Sequence, residues 1–387
     1  MKTYSKNQLL TDSSFRQPQH FKSLYIHIPF CKNICDYCAL YSVVNNESSV
    51  RKRFLAKIEH DLKQNIQRLK PLETIFIGGG TPSQLTENEL IILLSAIAGN
   101  CKFEKNCEFT IECNPSSITP EKLAIMKAHG VNRLSFGAQS TTRKNRNTLG
   151  RRTSEEQFLK AIADAENAQF KNINADLIYG IPGQTMEDWL VDLKKIKSLK
   201  LPHISAYSLI LEEDTVLSSR YDTLDDELAV EMYNKAAEEL VFDDIYRYEI
   251  SNYSRPGFEC RHNYHIWQGA TYLGIGPAAS SFDGEKRWTE IRDLNKWLEG
   301  VPPEIDDISP KARLAEIVAF GFRTVNGWLK SDLRDLYGRD ALKEFSEIFE
   351  NLCEEELLLE SQDRFHPSAQ GLLFADDIAE AFLLVQC

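Results

Sequence analysis

From Leu24 onward, short apolar, β-branched runs alternate with longer amphipathic stretches. The runs Leu24–Pro29, Thr74–Ile77, Glu108–Glu112, Arg133–Phe136, Ile173–Ile178 and Ile204–Leu209 predict strands. The stretches Ser49–Leu69, Glu87–Ala98, Pro120–His129, Ser154–Gln169 and Met186–Leu199 predict helices between them. Strands alternating with helices imply βαβ units and a parallel sheet. Such crossovers are right-handed, so six strands in sequence curl toward a barrel or an open arc. The expected fold is therefore α/β, a partial (β/α)6 barrel of TIM-like type. Polar or glycine residues cluster just after the strands: Cys31, the run Gly78–Gly80, Asn114, Gln139 and Gly180. That is the edge of the sheet where α/β folds place ligands.

The rhythm changes after about residue 215. Leu224–Leu240 reads as a helix, Tyr248–Ser281 as loop-rich, and the proline-bearing stretch Gly300–Pro310 as a linker. Ala312–Phe322, Leu329–Tyr337 and Ala341–Cys353 predict helices, and Leu357–His366 a short hairpin. This order suggests a winged-helix-like tail. Residues 341–360 hold seven glutamates against one lysine, a surface that repels a DNA backbone and suits packing or partner docking instead. The expected divisions are a tail (1–22), the partial barrel (23–215), an extension (216–300) and an α-rich C-terminal domain (301–387).

Composition narrows the function. A 387-residue chain with 42% hydrophobic residues has ample material for a core. Its net charge of -12 argues against nucleic acid and against anionic membrane as the main partner. No apolar run is long enough to predict a transmembrane segment, and Met1–Lys22 lacks an apolar signal-peptide core, so a cytoplasmic location is expected. Nine cysteines in such a chain point to metal binding or catalysis before disulfides. Cys101, Cys107, Cys113, Cys260, Cys353 and Cys387 are scattered, and most of them read as small buried hydrophobes.

Cys31, Cys35 and Cys38 are different: they fall within eight residues, directly after a predicted strand. Three thiolates on one tight loop can hold three corners of a [4Fe–4S] cube and leave the fourth iron open. Zinc is the competing metal, but it favours four closed ligands, and no second cysteine pair is visible.

With the strand Tyr25–Phe30 before it, this CxxxCxxC motif resembles the radical S-adenosylmethionine (SAM) superfamily. The resemblance implies that the open iron takes the amino and carboxylate groups of SAM. It also implies that one electron from the cluster cleaves the S–C5′ bond to give a 5′-deoxyadenosyl radical. The resemblance extends over about 270 residues. By it, Gly79, Gly80 and Thr81 form the site for the SAM amino group. Glu112, Gln139, Arg151 and Asp176, at or near strand ends, bind its other polar groups together with Ala206. Tyr25 and Tyr37 are the aromatics beside the cluster that contact SAM.

The segments Asp176–Gly183, Tyr248–Tyr253 and Gly274–Ser280 are similar to the oxygen-independent coproporphyrinogen III oxidase family. One branch decarboxylates two propionates of coproporphyrinogen III. The other is a heme chaperone, which binds heme and hands it to acceptor proteins. Three features favour the chaperone branch. Leu40 stands where the oxidase has a further cysteine, only 23 residues precede the first predicted strand, and His262, Asn263 and Trp267 match the chaperones' HNxxYW signature. Two positions depart from the branch: Leu40 replaces an aromatic, and Ile266 replaces a tyrosine. The implied heme residues are Cys260, His262, Asn263, His265 and Trp267, read here as lying in an irregular loop. The implied partners are heme or another porphyrin, a heme-acceptor protein and a reduced flavoprotein as electron donor. Three further readings stay open: the oxidase itself, a radical SAM methyltransferase or ring-opening enzyme acting on heme, and a zinc-bearing scaffold.

Overall fold

The computed structural model describes residues 20–45 and 47–384. Of the expected tail, residues 1–19 lie outside the described residues, as does Cys387. Phe21 already opens the first strand. The alternating half of the chain runs β1 (Phe21–Ile28), α1 (Ser48–Asn65), β2 (Leu69–Gly79), α2 (Glu87–Asn100), β3 (Phe103–Cys113), α3 (Pro120–Ala128) and β4 (Arg133–Gln139). It continues through α4 (Arg143–Thr148), α5 (Glu155–Asn167), β5 (Asn172–Tyr179), α6 (Met186–Ser198) and β6 (His203–Ser208). Side-chain oxygens start these helices. Thr86, Ser154 and Thr185 close capping boxes with Glu89, Gln157 and Asp188. Each such cap contributes about 1 kcal/mol.

Strands β1 to β6 pair in chain order, and every pair is parallel. The arc does not close on itself. After α7 (Asp226–Val241), the short strands β7 (Tyr246–Arg247) and β8 (Asn252–Ser254) extend it antiparallel beyond β6. The chain then forms α8 (Arg261–Trp267) and returns to the opposite edge. There β9 (Tyr272–Ile275) pairs parallel with β1. Antiparallel β10 (Ser280–Phe282), β11 (Arg287–Thr289) and, after α9 (Leu294–Leu298), β12 (Glu304–Asp306) complete one twelve-stranded sheet.

The two faces of this sheet differ. Leu24, Ile26, Ile75, Ile77, Leu134, Phe136, Ala175 and Leu177 belong to the main apolar core with the helices. The alternate positions are polar: Ser23 and His27, Thr74, Glu108, Thr110 and Glu112, Arg133 and Ser135, Asn174 and Asp176, His203 and Ser205. Parallel strands covered on both faces are ordinarily apolar throughout. Polar residues at most of these positions, Phe76 being an apolar exception, therefore mark an interior built for a ligand.

The C-terminal part holds α10 (Pro310–Gly321), β13 (Trp328–Leu329), α11 (Lys330–Arg334), α12 (Ala341–Glu344), α13 (Ser346–Glu354), β14 (Leu358–Glu360), β15 (Arg364–Pro367), α14 (Ala369–Leu373) and α15 (Ala375–Leu383). Its three strands form a small antiparallel sheet in the order β13-β15-β14. Trp328, Phe322, Phe349 and Phe382 centre a second core, which also takes in Phe282 of β10. The α/β class, the unclosed barrel and the α-rich C-terminal part agree with the sequence reading.

Several local expectations are corrected. Tyr248–Ser281 is loop-rich as expected, but it also carries β8, α8, β9 and the start of β10. The expected linker Gly300–Pro310 carries the edge strand β12, and Pro310 opens α10. The expected helix Leu329–Tyr337 shortens to Lys330–Arg334, and Ala341–Cys353 breaks at Phe345. These elements are two to five residues long in several cases, too short to show a periodicity; their partners lie far away in the chain.

Candidate functional site

Immediately after β1 the chain leaves the sheet in a loop that carries the three clustered cysteines. The loop is closed at its base, where Cys31 N donates to Val43 O (3.0 Å) and Val43 N to Pro29 O (2.7 Å). Within it, Cys38 N donates to Cys35 O (3.1 Å), which tightens the turn between the last two thiols. Cys31, Cys35 and Cys38 line one cavity of about 660 Å³ at the C-terminal edge of the strands. All three are free thiols. Burial pushes the Cys31 and Cys38 thiols above their ordinary range. Binding a metal as thiolate relieves that penalty by supplying the missing positive charge.

The other sequence-chosen residues come to the same cavity. Gly79, Gly80, Thr81, Glu112, Gln139, Arg151, Asp176 and Tyr37 all line it. Thr81 Oγ1 lies 3.3 Å from Cys31 Sγ. Gly80 is required by space: a Cβ there would meet Pro29 O at 2.8 Å and Cys31 Sγ at 3.0 Å. Gly79 N donates to Glu112 Oε2 (3.1 Å), which orients that carboxylate. Arg151 donates to Gly137 O (2.5 Å) and to Cys35 Sγ (3.7 Å), placing a guanidinium beside a cluster thiol. Gln139 holds φ 66° at the end of β4, a conformation uncommon for a residue with a side chain. Such strain concentrates at functional sites.

Two residues stand differently. Ala206 faces the outer core, while Ser205 and Tyr207 on either side line the cavity, as strand alternation requires. Tyr25 is half-buried and does not line the cavity; its ring lies 6.2 Å from that of Phe76, which does. Its hydroxyl meets His27 Nδ1 (3.0 Å), while His27 Nε2 meets Tyr41 O (2.8 Å). A carbonyl can only accept, so Nε2 carries the proton and Nδ1 accepts from Tyr25. Burial lowers His27 to about 4, in keeping with a neutral ring.

The cavity is electrostatically tense. Burial, and then the Asp176 charge, push the Glu112 carboxyl up to about 8. Burial also raises Asp176, although Ser205, Asn174 and Ser135 oppose this by hydrogen bonding. Asn174 Nδ2 donates to Asp176 Oδ1 at 2.7 Å and Ser135 Oγ to Oδ2 at 3.1 Å. Two carboxyls that resist ionisation suit a site that receives a cation. Arg133 also lines the cavity, with its Nε unpartnered among the described residues. Sequence reading missed Arg133, Ser135, Asn174, Ser205, Tyr207 and Asn252. Their signal was the polar residue at every second strand position.

The segment expected to ligate heme is not an irregular loop; it is α8, at the opposite end of the barrel from the cysteines. Cys260, its N-cap, supplies no side-chain cap. Glu108, far away on β3, does so instead: it accepts from Arg261 N and His262 N, both at 3.1 Å. His262 Nδ1 lies 2.9 Å from Thr74 Oγ1, and its ring packs 5.3 Å from that of Phe76. Burial, then His265 and Arg133, lower His262 to about 3. His265 lies 3.8 Å from Glu73, and Trp267 packs against Arg323. Of the five residues, Cys260 and Asn263 line the cavity. Burial first, with Glu108 adding to it, pushes the Cys260 thiol up to about 12.

No three His, Cys, Asp or Glu side chains among the described residues converge on a single-ion position. A four-iron cube makes a different demand, one thiolate per corner. The shared cavity wall, the space left by Gly80 and the Arg151 charge fit that demand.

The Radical SAM superfamily model matches residues 25–196. Heme chaperone HemW of Lactococcus lactis is 33% identical over 371 residues, covering 94% of this chain and 97% of that protein. Heme chaperone HemW of Bacillus subtilis is 32% identical, covering 94% and 99%. The mitochondrial radical S-adenosyl methionine domain-containing protein 1 of Bos taurus is 31% identical, covering 93% and 87%. Among solved structures, coproporphyrinogen III oxidase (HemN) of Escherichia coli superimposes with a TM-score of 0.83 at 21% identity, covering 96% and 92%. That likeness concerns the fold.

Proposed function

As this chain belongs to the radical SAM superfamily, in the family of heme chaperone HemW, we propose that it binds heme and passes it to an acceptor protein. Membership of the superfamily implies a [4Fe–4S] cluster and SAM. In the proposed site, Cys31, Cys35 and Cys38 hold the cluster. Gly79, Gly80 and Thr81 take the SAM amino group by backbone and hydroxyl contacts. Glu112 and Asp176 offset its positive charge, Gln139 and Arg151 take its polar groups, Tyr37 covers it, and Tyr25 backs the site. Ala206 takes part through its backbone, the side chain being turned away. When bound, the pair supplies one-electron reductive chemistry at the SAM sulfonium.

The chain's own residues set the conditions. Arg151 balances the thiolate charge at Cys35. The inward polar face orients the ligand through fixed hydrogen bonds, while the helices pack against the opposite, apolar face. For heme, we propose contacts from Cys260 and Asn263, which line the cavity, with His262, His265 and Trp267 shaping the floor behind them. Leu40, 59% exposed and bordering the cavity, stands where an oxidase has a further cysteine. Its lack of a thiol favours chaperone over oxidase. We further propose a cytoplasmic location, since no helix among the described residues is long and apolar enough to cross a membrane and the relatives named above include bacterial chaperones.

The observation that carries this reading is the near full-length kinship to heme chaperones, joined to three cysteines on one cavity wall. Anaerobic reconstitution tests it. The protein should take up iron and sulfide, bind heme and leave coproporphyrinogen III unchanged in the presence of SAM and reductant. Formation of protoporphyrinogen IX would instead assign the oxidase.

A further inference from the structure

Arg133, Arg151 and Arg292 all line the cavity. Arg151 is bonded to Gly137 O and Cys35 Sγ, and Arg292 donates to Ala39 O. Arg133 stands apart. It is 2% exposed, yet its guanidinium makes no hydrogen bond and no ion pair with any described residue, and its buried Nε has no partner. An arginine cannot shed its charge, and its N–H donors form a planar fork that matches a carboxylate. Burying such a cation without a partner is costly.

The groups around Arg133 are committed elsewhere. The charges of Glu108 and Asp176 reach it, but neither residue forms an ion pair with it. Glu108 spends both oxygens on Arg261 N and His262 N at the start of α8. Asp176 is held by Ser135 and Asn174. Tyr248 and Cys260 stay uncharged, because burial raises both. Arg133 is thus the exception on a floor whose other polar groups are bonded to one another.

Its place limits what can pair with it. Arg133 opens β4 and Gln139 closes it at the mouth. About 20 Å of strand separates the two. A SAM molecule whose amino acid group sits on the cluster keeps its carboxylate at the mouth. A carboxylate that reaches Arg133 therefore belongs to a second ligand, lodged on the part of the wall that Cys260 and Asn263 share. Phe76 adds an aromatic ring to that wall.

We propose that Arg133 anchors a propionate carboxylate of the heme ligand in a bidentate, hydrogen-bonded ion pair, and so fixes which edge of the porphyrin points down the barrel. The inference rests on the heme-binding reading above and adds the residue that selects a porphyrin bearing a free carboxylate. When the ligand seats, an unpaired buried cation becomes a neutral pair with its donors satisfied. A charge-assisted pair of this kind is stronger than an ordinary hydrogen bond.

The test titrates heme and heme dimethyl ester, whose propionates carry no charge, into the full-length protein and its Arg133→Met and Arg133→Lys variants, with heme absorption as the readout. The wild type should bind heme at least about tenfold more tightly than the diester. Arg133→Met should lose that preference: its heme affinity falls about tenfold and its diester affinity stays the same. Arg133→Lys should recover part of the preference, since it keeps the charge and loses the fork. Without ligand, Arg133→Met should melt at or above the wild-type temperature, because an apolar chain replaces an unpaired buried cation. An arginine that only supports the fold would do the reverse, so a lower melting temperature in Arg133→Met would overturn the proposal. So would an equal preference for heme over the diester in the wild type and Arg133→Met, or a loss of affinity for both ligands by the same factor, because Arg133 would then read no carboxylate. A wild-type protein that binds no heme removes the heme reading itself, and this inference with it.

Discussion

The mouth and the floor of the barrel are built by opposite strategies. At the mouth, three cysteines, a glycine turn and Thr81 come from loops next to one another in space and, pairwise, close in sequence. At the floor, α8 is held by Glu108 on β3 and Thr74 on β2, more than 150 residues earlier in the chain. The mouth spends its polar groups on what enters the cavity. The floor spends its polar groups on itself. A substitution at the mouth should therefore cost ligand, and one at the floor should cost stability.

The largest expected effect is at the mouth. Cys35→Ser should abolish iron uptake on reconstitution, since a hydroxyl is a poor substitute for a soft thiolate. The melting temperature of the cluster-free protein should stay the same. Iron and sulfide analysis beside a thermal melt checks both, and unchanged iron content would remove Cys35 from the site.

Glu108→Ala comes next, at the floor. It leaves the Arg261 and His262 N–H groups without their acceptor, at a cost of about 1–3 kcal/mol each. The iron bound per folded chain should stay at the wild-type value. Denaturant melts on the cluster-free form read the stability, and a loss of iron with no loss of stability would reverse the roles of mouth and floor. His262→Ala should cost about 2–4 kcal/mol, from a lost buried ring and its bond to Thr74. Its heme absorption spectrum should match the wild type. An altered heme spectrum at unchanged stability would make His262 a ligand and not part of the floor.

The Glu112 carboxyl gives the mouth a pH dependence. Its pKa in the fold, about 8, lies above its ordinary value, so the empty site holds a proton at neutral pH. Receiving a cation favours the ionised form, so binding releases that proton. SAM affinity should therefore rise with pH up to about 8 and level off above it, and Glu112→Gln should flatten the profile. The same sign applies to the empty protein: native Glu112 binds its proton more tightly than the unfolded chain does, so this group's contribution to stability falls as pH rises from about 4.5 to 8. The smallest effect belongs to the exposed rim. Leu40→Ala should change stability by less than about 0.5 kcal/mol and leave iron content untouched, because the side chain packs against little.

This contrast also explains what the sequence could reveal. Cys31, Cys35 and Cys38 declare themselves by spacing alone, and the six core strands and their crossovers by alternating pattern. Gln139 is found because strand ends are where ligands bind, whereas Glu112 and Asp176 come from the resemblance to the radical SAM superfamily. Helix α8 stays hidden because its cap is Glu108, and no local signal announces a cap so far away. Strands β9 to β12 are three or four residues long and gain their stability from β1 and from one another, so each alone reads as loop. The inward polar set Arg133, Ser135, Asn174 and Ser205 was legible as a period of two. Strands read as apolar runs conceal it.

The most direct test of the central claim is iron, sulfide and electron paramagnetic resonance analysis of the anaerobically reconstituted, reduced protein, with and without SAM. The account predicts about four iron and four sulfide per chain and a cluster spectrum that shifts when SAM is added. One zinc ion per chain with no sulfide, or a cluster whose spectrum ignores SAM, would contradict it.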